Sequence, residues 1–254
     1  MADDLRPSPR HKPVSLFVTC MVDALYPPVG IGVVRILDRL GVPVTFPLGQ
    51  TCCGQPAFNG GFREDAAAVA RQFLRAFADA DVIVTPSGSC AAMVRHYYPE
   101  LFADDPEWRE RAAWAAAITW EFTEYLVDGL GVTDLGVTLP PTRVAFHDAC
   151  HGLRELGLKQ QARALVGQVG GVTIVEGADE ERCCGFGGLF AVKMAAISSA
   201  MLKEKLAAVE AVNADVIVTG DTSCMTQING GLARRGSALR AVHIAEFLAR
   251  GLPG

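Results

Sequence analysis

The chain has 254 residues, half of them hydrophobic and a fifth charged, with a formal net charge of −5, enough apolar material for one large domain or two small ones. No basic cluster offsets the acidic balance, which excludes nucleic acid as a partner class, and no uninterrupted apolar run reaches the ~18–20 residues of a membrane span. Residues 1–13 are polar, read as disordered and lack the apolar stretch of a secretory leader, so the expected location is cytoplasmic.

Residues 14–19 are β-branched-rich and strand-sized, and Cys20 follows directly. Residues 31–40 place apolar side chains at three- and four-residue steps, which predicts a helix. Residues 42–46 predict the next strand, upstream of the adjacent pair Cys52 and Cys53 and of Gly54. A helix over 66–80 and a strand over Val82–Thr85 lead to Cys90. Residues 111–128, with Trp114 and Trp120, read as one apolar-faced helix, and Leu139, Pro140 and Pro141 mark a joint. The order then repeats. A strand over 143–146 precedes Cys150; a helix over 159–169 and a strand over 172–175 precede Cys183 and Cys184; a helix over 191–212 and a strand over Val216–Thr219 precede Cys224.

Strand–helix–strand order predicts an α/β fold with parallel strands joined by crossovers of about 30 residues. The chain is a duplication: two tandem Rossmann-like repeats, 14–138 and 142–252. Each repeat has one cysteine, a gap of 31 or 32 residues, an adjacent pair, a gap of 36 or 39, and a last cysteine. The segments ending at Cys90 and Cys224 read ADVIVTPSGSC and ADVIVTGDTSC, and Glu124, Tyr125 and Leu126 match Glu246, Phe247 and Leu248. Every cysteine falls beyond the carboxyl end of a predicted strand, and in a parallel sheet those ends share one edge. Each set of four is thereby gathered at one point despite its long spacing.

Eight cysteines in a cytoplasmic chain are candidates for metal ligation rather than a stable disulfide framework. Four thiolates suit zinc or an iron–sulfur cluster. Structural zinc takes ligands in pairs two to four residues apart, which neither set offers, whereas neighbouring sulfurs each reach a different iron of a cluster. The candidate ligands are Cys20, Cys52, Cys53 and Cys90, then Cys150, Cys183, Cys184 and Cys224. Gly54, Gly185, Gly187 and Gly188 are candidates to bring backbone amides toward the cofactor's sulfur. The run 185–188 is not a dinucleotide loop, because it lacks the required glycine spacing.

These motifs carry a resemblance. Thr51-Cys52-Cys53-Gly54, Pro86-Ser87-Gly88-Ser89-Cys90, Phe146-His147-Asp148-Ala149-Cys150-His151 and Cys183-Cys184-Gly185-Phe186-Gly187-Gly188 resemble the cysteine-rich CCG-domain family of iron–sulfur proteins, over about residues 14–250. The resemblance implies two clusters of the 4Fe–4S type, one per repeat, in an electron-transfer subunit. It implies partners as well: other iron–sulfur subunits of a lactate-utilisation complex oxidising L-lactate to pyruvate, without which no turnover is expected. No segment is left for the ferredoxin module of longer relatives. The family pattern ends in C-x-x-C, and here Ser87 and Asp221 stand at the first of those positions. That departure leaves cubane and non-cubane clusters both open, with either residue a possible oxygen ligand. Disulfide reduction at a cluster and a non-redox protein with two structural zinc sites are the competing functions.

His147 and His151 bracket Cys150 and are candidate catalytic groups for moving a proton with an electron. His96 and His243 read as packed or solvated. Arg63, Arg154 and Arg182 lie near the motif loops and are weighed as carboxylate clamps. Met21, Met93 and Met225 read as packing.

Overall fold

The computed structural model describes residues 6–177 and 179–252. Residues 1–5 of the polar start lie outside the described residues, but its remainder is docked rather than disordered. The Arg6 guanidinium lies 3.7 Å over the Trp120 ring and donates to Glu124 Oε1 at 2.6 Å, while Arg10 donates to the Gly129 carbonyl at 3.2 Å.

Val14–Leu16 (β1), Val44–Thr45 (β2), Val82–Thr85 (β3) and Thr119–Glu121 (β4) form an all-parallel sheet in the order β2-β1-β3-β4. Thr138–His147 (β5), Gly170–Ile174 (β6), Val216–Thr219 (β7) and Ala241–His243 (β8) form a second, also parallel, in the equivalent order β6-β5-β7-β8. The fold is α/β, two tandem Rossmann-like repeats. In the first half the helices are Cys20–Leu25 (α1), Pro27–Arg39 (α2), Gln55–Asn59 (α3), Arg63–Ala76 (α4), Gly88–Ala92 (α5), Tyr98–Leu101 (α6), Pro106–Ile118 (α7) and Phe122–Glu124 (α8). In the second they are Cys150–Glu155 (α9), Gln160–Gly167 (α10), Leu189–Lys193 (α11), Ala195–Ala211 (α12), Thr222–Arg234 (α13) and Ile244–Ala249 (α14).

Side chains alternate across each strand, so a sheet covered on both faces needs apolar residues at nearly every position. Val14, Leu16, Val82 and Val84 join Val144, Phe146, Val216 and Val218 of the other sheet in one continuous core that includes α2 and α14. Phe17 and Ile83 pack instead with α4 and α7, and Ile217 packs with α12 and α13. The central helices α2 and α14 approach so closely that a Cβ on Gly32 would stand 2.8 Å from the Ala245 carbonyl oxygen. The two repeats therefore share their largest apolar core.

Three expected elements differ. Residues 111–128 are not one helix: α7 ends at Ile118, and Thr119, Trp120 and Glu121 extend to pair with Ile83, Val84 and Thr85. The helix expected over 191–212 is interrupted at Met194, between α11 and α12. The proline joint lies inside β5, where the pairing with β6 slips between Thr138 and Thr142. Pro140 and Pro141 have no amide to donate, and a slip at that point removes the need for one.

Candidate metal centre

The carboxyl ends of the strands deliver the cysteines as their spacing requires. Cys20 and Cys150 open α1 and α9 just past β1 and β5. Cys90 lies in α5 past β3, and Cys224 in the first turn of α13 past β7. Both adjacent pairs lie in bends that end on a left-handed glycine, Gly54 at φ +84° and Gly185 at φ +82°. Each of those glycines presses on a helix one element further on, Gly54 on α4 and Gly185 on α12. A Cβ there would stand 3.3 Å from the Ala66 carbonyl in the first case and 2.7 Å from that of Ser198 in the second. Thr19, immediately before Cys20, is also left-handed at φ +74°, an unusual conformation for a β-branched residue.

All eight cysteines line one cavity of about 130 Å³. Within each set two thiols are buried, Cys53 with Cys90 and Cys184 with Cys224, and the other two are more open. All are free thiols. Cys20 Sγ is 3.6 Å from Cys52 Sγ, and the Gly54 amide donates to Cys52 Sγ at 3.4 Å. The Gly185 amide makes the same 3.4 Å contact to Cys183 Sγ. Gly187 and Gly188, both at positive φ, line the cavity wall.

Crowding splits the thiol acidities. The thiol of Cys20, then that of Cys53, stabilises the Cys52 thiolate and lowers its pKa to about 3. Cys150 and Cys184 do the same for Cys183, lowering it to about 2. The donors Cys20, Cys53, Cys150 and Cys184 are pushed up correspondingly, with burial adding to the effect. Four sulfurs this close cannot all ionise by themselves, because each further thiolate is repelled by the first. A bound cationic centre removes that obstacle, since coordination deprotonates the thiols. The donor set therefore fits an iron–sulfur cluster in each repeat: four thiolates, two buried, with a backbone amide turned onto one of the sulfurs.

Ser87 and Asp221 are hydrogen-bonded to each other across the two repeats. Ser87 caps α5 by accepting from the Cys90 amide, and Asp221 caps α13 by accepting from the Ser223 amide. The Ser87 hydroxyl donates to Asp221 Oδ2 at 3.3 Å and the Ser89 amide donates to the same oxygen at 3.0 Å. Burial pushes the Asp221 carboxyl up, but hydrogen bonds from Ser223 and Ser89 outweigh it and hold the group below its ordinary value.

His151 lines the cysteine cavity and faces Glu155 at 3.7 Å. His147 is buried behind it, in the wall of a second cavity of about 50 Å³ that it shares with Glu121 and Thr219. Neither of its ring nitrogens has a hydrogen-bond partner among the described residues, and one lies within 4.8 Å of the sulfurs of Cys184 and Cys224. His243 is a buried helix cap that accepts from the Ala245 amide, and burial lowers its pKa to about 4. His96 bonds the Glu155 carbonyl at 3.1 Å, away from the cysteines.

The three arginines weighed as carboxylate clamps do not line the cysteine cavity. Arg63 pairs with Glu100 and stacks on Phe58, and Arg182 pairs with Asp179 and Glu204. Met93 and Met225 are buried packing, and Met21 lines the cavity. Sequence reasoning missed Lys205 and Glu121, both almost wholly buried. The available signal was Lys205's place on the apolar face of α12, beside Leu202, Leu206 and Val209.

Two parallel-sheet repeats that bring two sets of four thiols to one cavity define a duplicated α/β cysteine-site protein. A family model described as "Cysteine-rich domain" (CCG) matches residues 14–95 and 144–229, so both repeats are covered. The chain belongs to this CCG family. It is 47% identical over 239 residues to lactate utilization protein A 2 of Bacillus cereus, covering 94% of this chain and 98% of that protein. It is 48% identical over 235 residues to lactate utilization protein A of Geobacillus thermodenitrificans, covering 92% and 98%. Among solved structures, a hypothetical protein from Helicobacter pylori has the same fold with a TM-score of 0.65 at 10% identity. That match covers 98% of this chain, which spans about half, 51%, of the Helicobacter pylori chain. Among the described residues no helix is long and apolar enough to cross a membrane.

Proposed function

We propose that each repeat, 14–138 and 142–252, holds one iron–sulfur cluster, and that the chain is an electron-transfer subunit in the oxidation of L-lactate to pyruvate. The observation that carries the reading is the single cavity lined by all eight cysteines. The lactate assignment is supported by relatives at 47% and 48% identity that are named for lactate utilization. An iron–sulfur cluster bound at either site supplies one-electron chemistry. The chain's own part is to anchor it through four thiolates, to keep water from the two buried sulfurs, and to direct the Gly54 and Gly185 amides onto Cys52 and Cys183. Such amide contacts favour the more negative, reduced state. His151 in the cavity wall and His147 behind it are the groups for a proton that accompanies the electron. The partners are other iron–sulfur subunits of a cytoplasmic lactate-utilisation complex.

The test is iron and acid-labile sulfide per chain, with EPR, on anaerobically reconstituted protein. About eight of each are expected for two 4Fe–4S clusters, halved by Cys53→Ser or by Cys184→Ser. One observation favours a second reading: the donor atoms of His147, Cys184 and Cys224 lie within 4.8 Å of one another, close enough to surround a single ion. Zinc without iron or sulfide establishes that reading instead. Lactate oxidation by the isolated chain would overturn the division of labour among subunits.

A further inference from the structure

The two sites are related by the duplication but are not chemically equal. Val14 pairs with Val82 as Val144 pairs with Val216, and Cys20 lies as far beyond Val14 as Cys150 lies beyond Val144. Phe17 therefore corresponds to His147. Gly54 presses on Ala66 and Val69 of α4 as Gly185 presses on Ser198 and Met201 of α12. That match puts Phe73 in correspondence with Lys205. In the first repeat Phe17 and Phe73 are fully buried and meet edge to face, with ring centroids 4.9 Å apart. The second repeat has replaced both rings with nitrogen-bearing side chains. His147 is 2% exposed and Lys205 0%.

Lys205 is a cation satisfied by carbonyls rather than by a carboxylate. Its Nζ donates to the carbonyl oxygens of Asp179 at 2.7 Å and Glu180 at 3.0 Å. The nearby buried carboxylate Asp148 takes a two-pronged contact from Arg163 at 2.9 and 3.2 Å, and the same guanidinium also pairs with Glu176 and Glu180. Asp221 bonds Ser87 and Ser89 on one side and Ser223 on the other, and its charge bears on Cys150 and Cys224 of the second site. Lys205 thus places a buried ammonium group in the second repeat where the first repeat buries the uncharged Phe73. Burial lowers its pKa to about 8, which leaves it mostly protonated at pH 7.

We propose that Lys205 raises the reduction potential of the second site, at Cys150, Cys183, Cys184 and Cys224, above the value it has with an uncharged side chain at that position. The inference rests on the iron–sulfur reading. Reduction adds one negative charge to a site, and a fixed cation in the low-dielectric interior favours it, while the Phe17–Phe73 surround offers no charge. The step is one electron gained by the second site from an external one-electron reductant, with no bond made or broken. Lys205 is a positioning residue here, acting through the field it places on the thiolate-bound centre.

The experiment is an EPR-monitored redox titration of the anaerobically reconstituted full chain at pH 7, with Cys90→Ser and Cys224→Ser assigning each signal to its repeat. Two midpoints are expected, and Cys224→Ser removes that of the second site. Lys205→Met lowers the reduced-to-oxidised ratio of the second site by about tenfold at fixed poise, equal to about 59 mV for one electron. The first site stays unchanged, and Lys205→Arg restores the ratio. No Lys205→Met shift in the second site, or a shift shared by both sites, overturns this inference alone. Wild-type chain that takes up no iron overturns the cluster reading and this inference with it. Should Lys205→Met fail to fold, Lys205→Gln is read in the same titration, with the same lowering expected and the same results overturning the inference.

Discussion

Replacing Asp221 by asparagine is expected to loosen the junction between the two repeats. The carboxylate accepts on both oxygens: Oδ2 from the Ser89 amide at 3.0 Å and the Ser87 hydroxyl at 3.3 Å, Oδ1 from the Ser223 amide at 3.0 Å. An asparagine retains one accepting oxygen, so one of these buried donor sets faces an NH₂ group that cannot accept. Hydrogen bonds to a charged group are worth roughly 1.5–3 kcal/mol each, and an orphaned buried donor costs a similar amount. The expected loss is therefore about 3 kcal/mol, or a fall in Tm of roughly 6–12 °C for a chain of this size. The pH dependence supplies a second signature. Because the folded carboxyl lies below its ordinary value of 3.8, its contribution is complete above that value and is lost as pH falls through it toward the lowered folded value. Urea unfolding followed by circular dichroism, at pH 7 and at steps below about 4, measures both effects. A difference between wild type and Asp221→Asn under about 0.5 kcal/mol at pH 7, or one that does not shrink on acidification, refutes the reasoning.

Gly185→Ala is expected to cost more stability than Gly54→Ala, by about 1–2 kcal/mol. Both residues are left-handed, but the new Cβ meets a carbonyl at 2.7 Å in the first case and 3.3 Å in the second; equal urea midpoints would contradict this. Glu124 is nearly buried and paired with both Arg6 at 2.6 Å and Arg95 at 2.8 Å, so Glu124→Gln should destabilise by roughly 3 kcal/mol and expose the docked start of the chain to limited proteolysis. Unchanged protease resistance in that segment would count against the pairing. Burial raises the Glu121 carboxyl from 4.5 to about 7. The folded state then holds its proton more tightly than the unfolded state, so stability falls as pH rises from about 4.5 to 7 and levels off above that. Glu121→Gln should flatten roughly 3 kcal/mol of that slope, read from urea midpoints at pH 5 and 8; an unaltered slope assigns it to another group.

Long, locally encoded features were legible in the sequence. Val82–Thr85 and Val216–Thr219 are strands at the expected residues because an unbroken β-branched run suits a strand covered on both faces. The cysteine spacing predicted two gathering points because each gap spans one crossover. The short edge strands β4 and β8 were not visible, since three residues carry no periodicity and each runs directly into a helix, α8 or α14. The docking of Arg6 on Trp120 joins residues more than a hundred positions apart, and no local pattern announces it.

By itself the sequence determined the duplication, the parallel α/β architecture and the eight candidate ligands, because strand runs, crossover lengths and cysteine spacing are all properties of neighbouring residues. The tertiary structure alone decided the relation between the repeats. It placed both cysteine sets on one cavity and merged the two halves in a common core. It turned Ser87 and Asp221 toward each other, and it buried Lys205 where the first repeat buries Phe73. These are contacts between segments far apart along the chain, and their energies depend on packing and on the field inside the folded protein rather than on the order of residues in any one stretch.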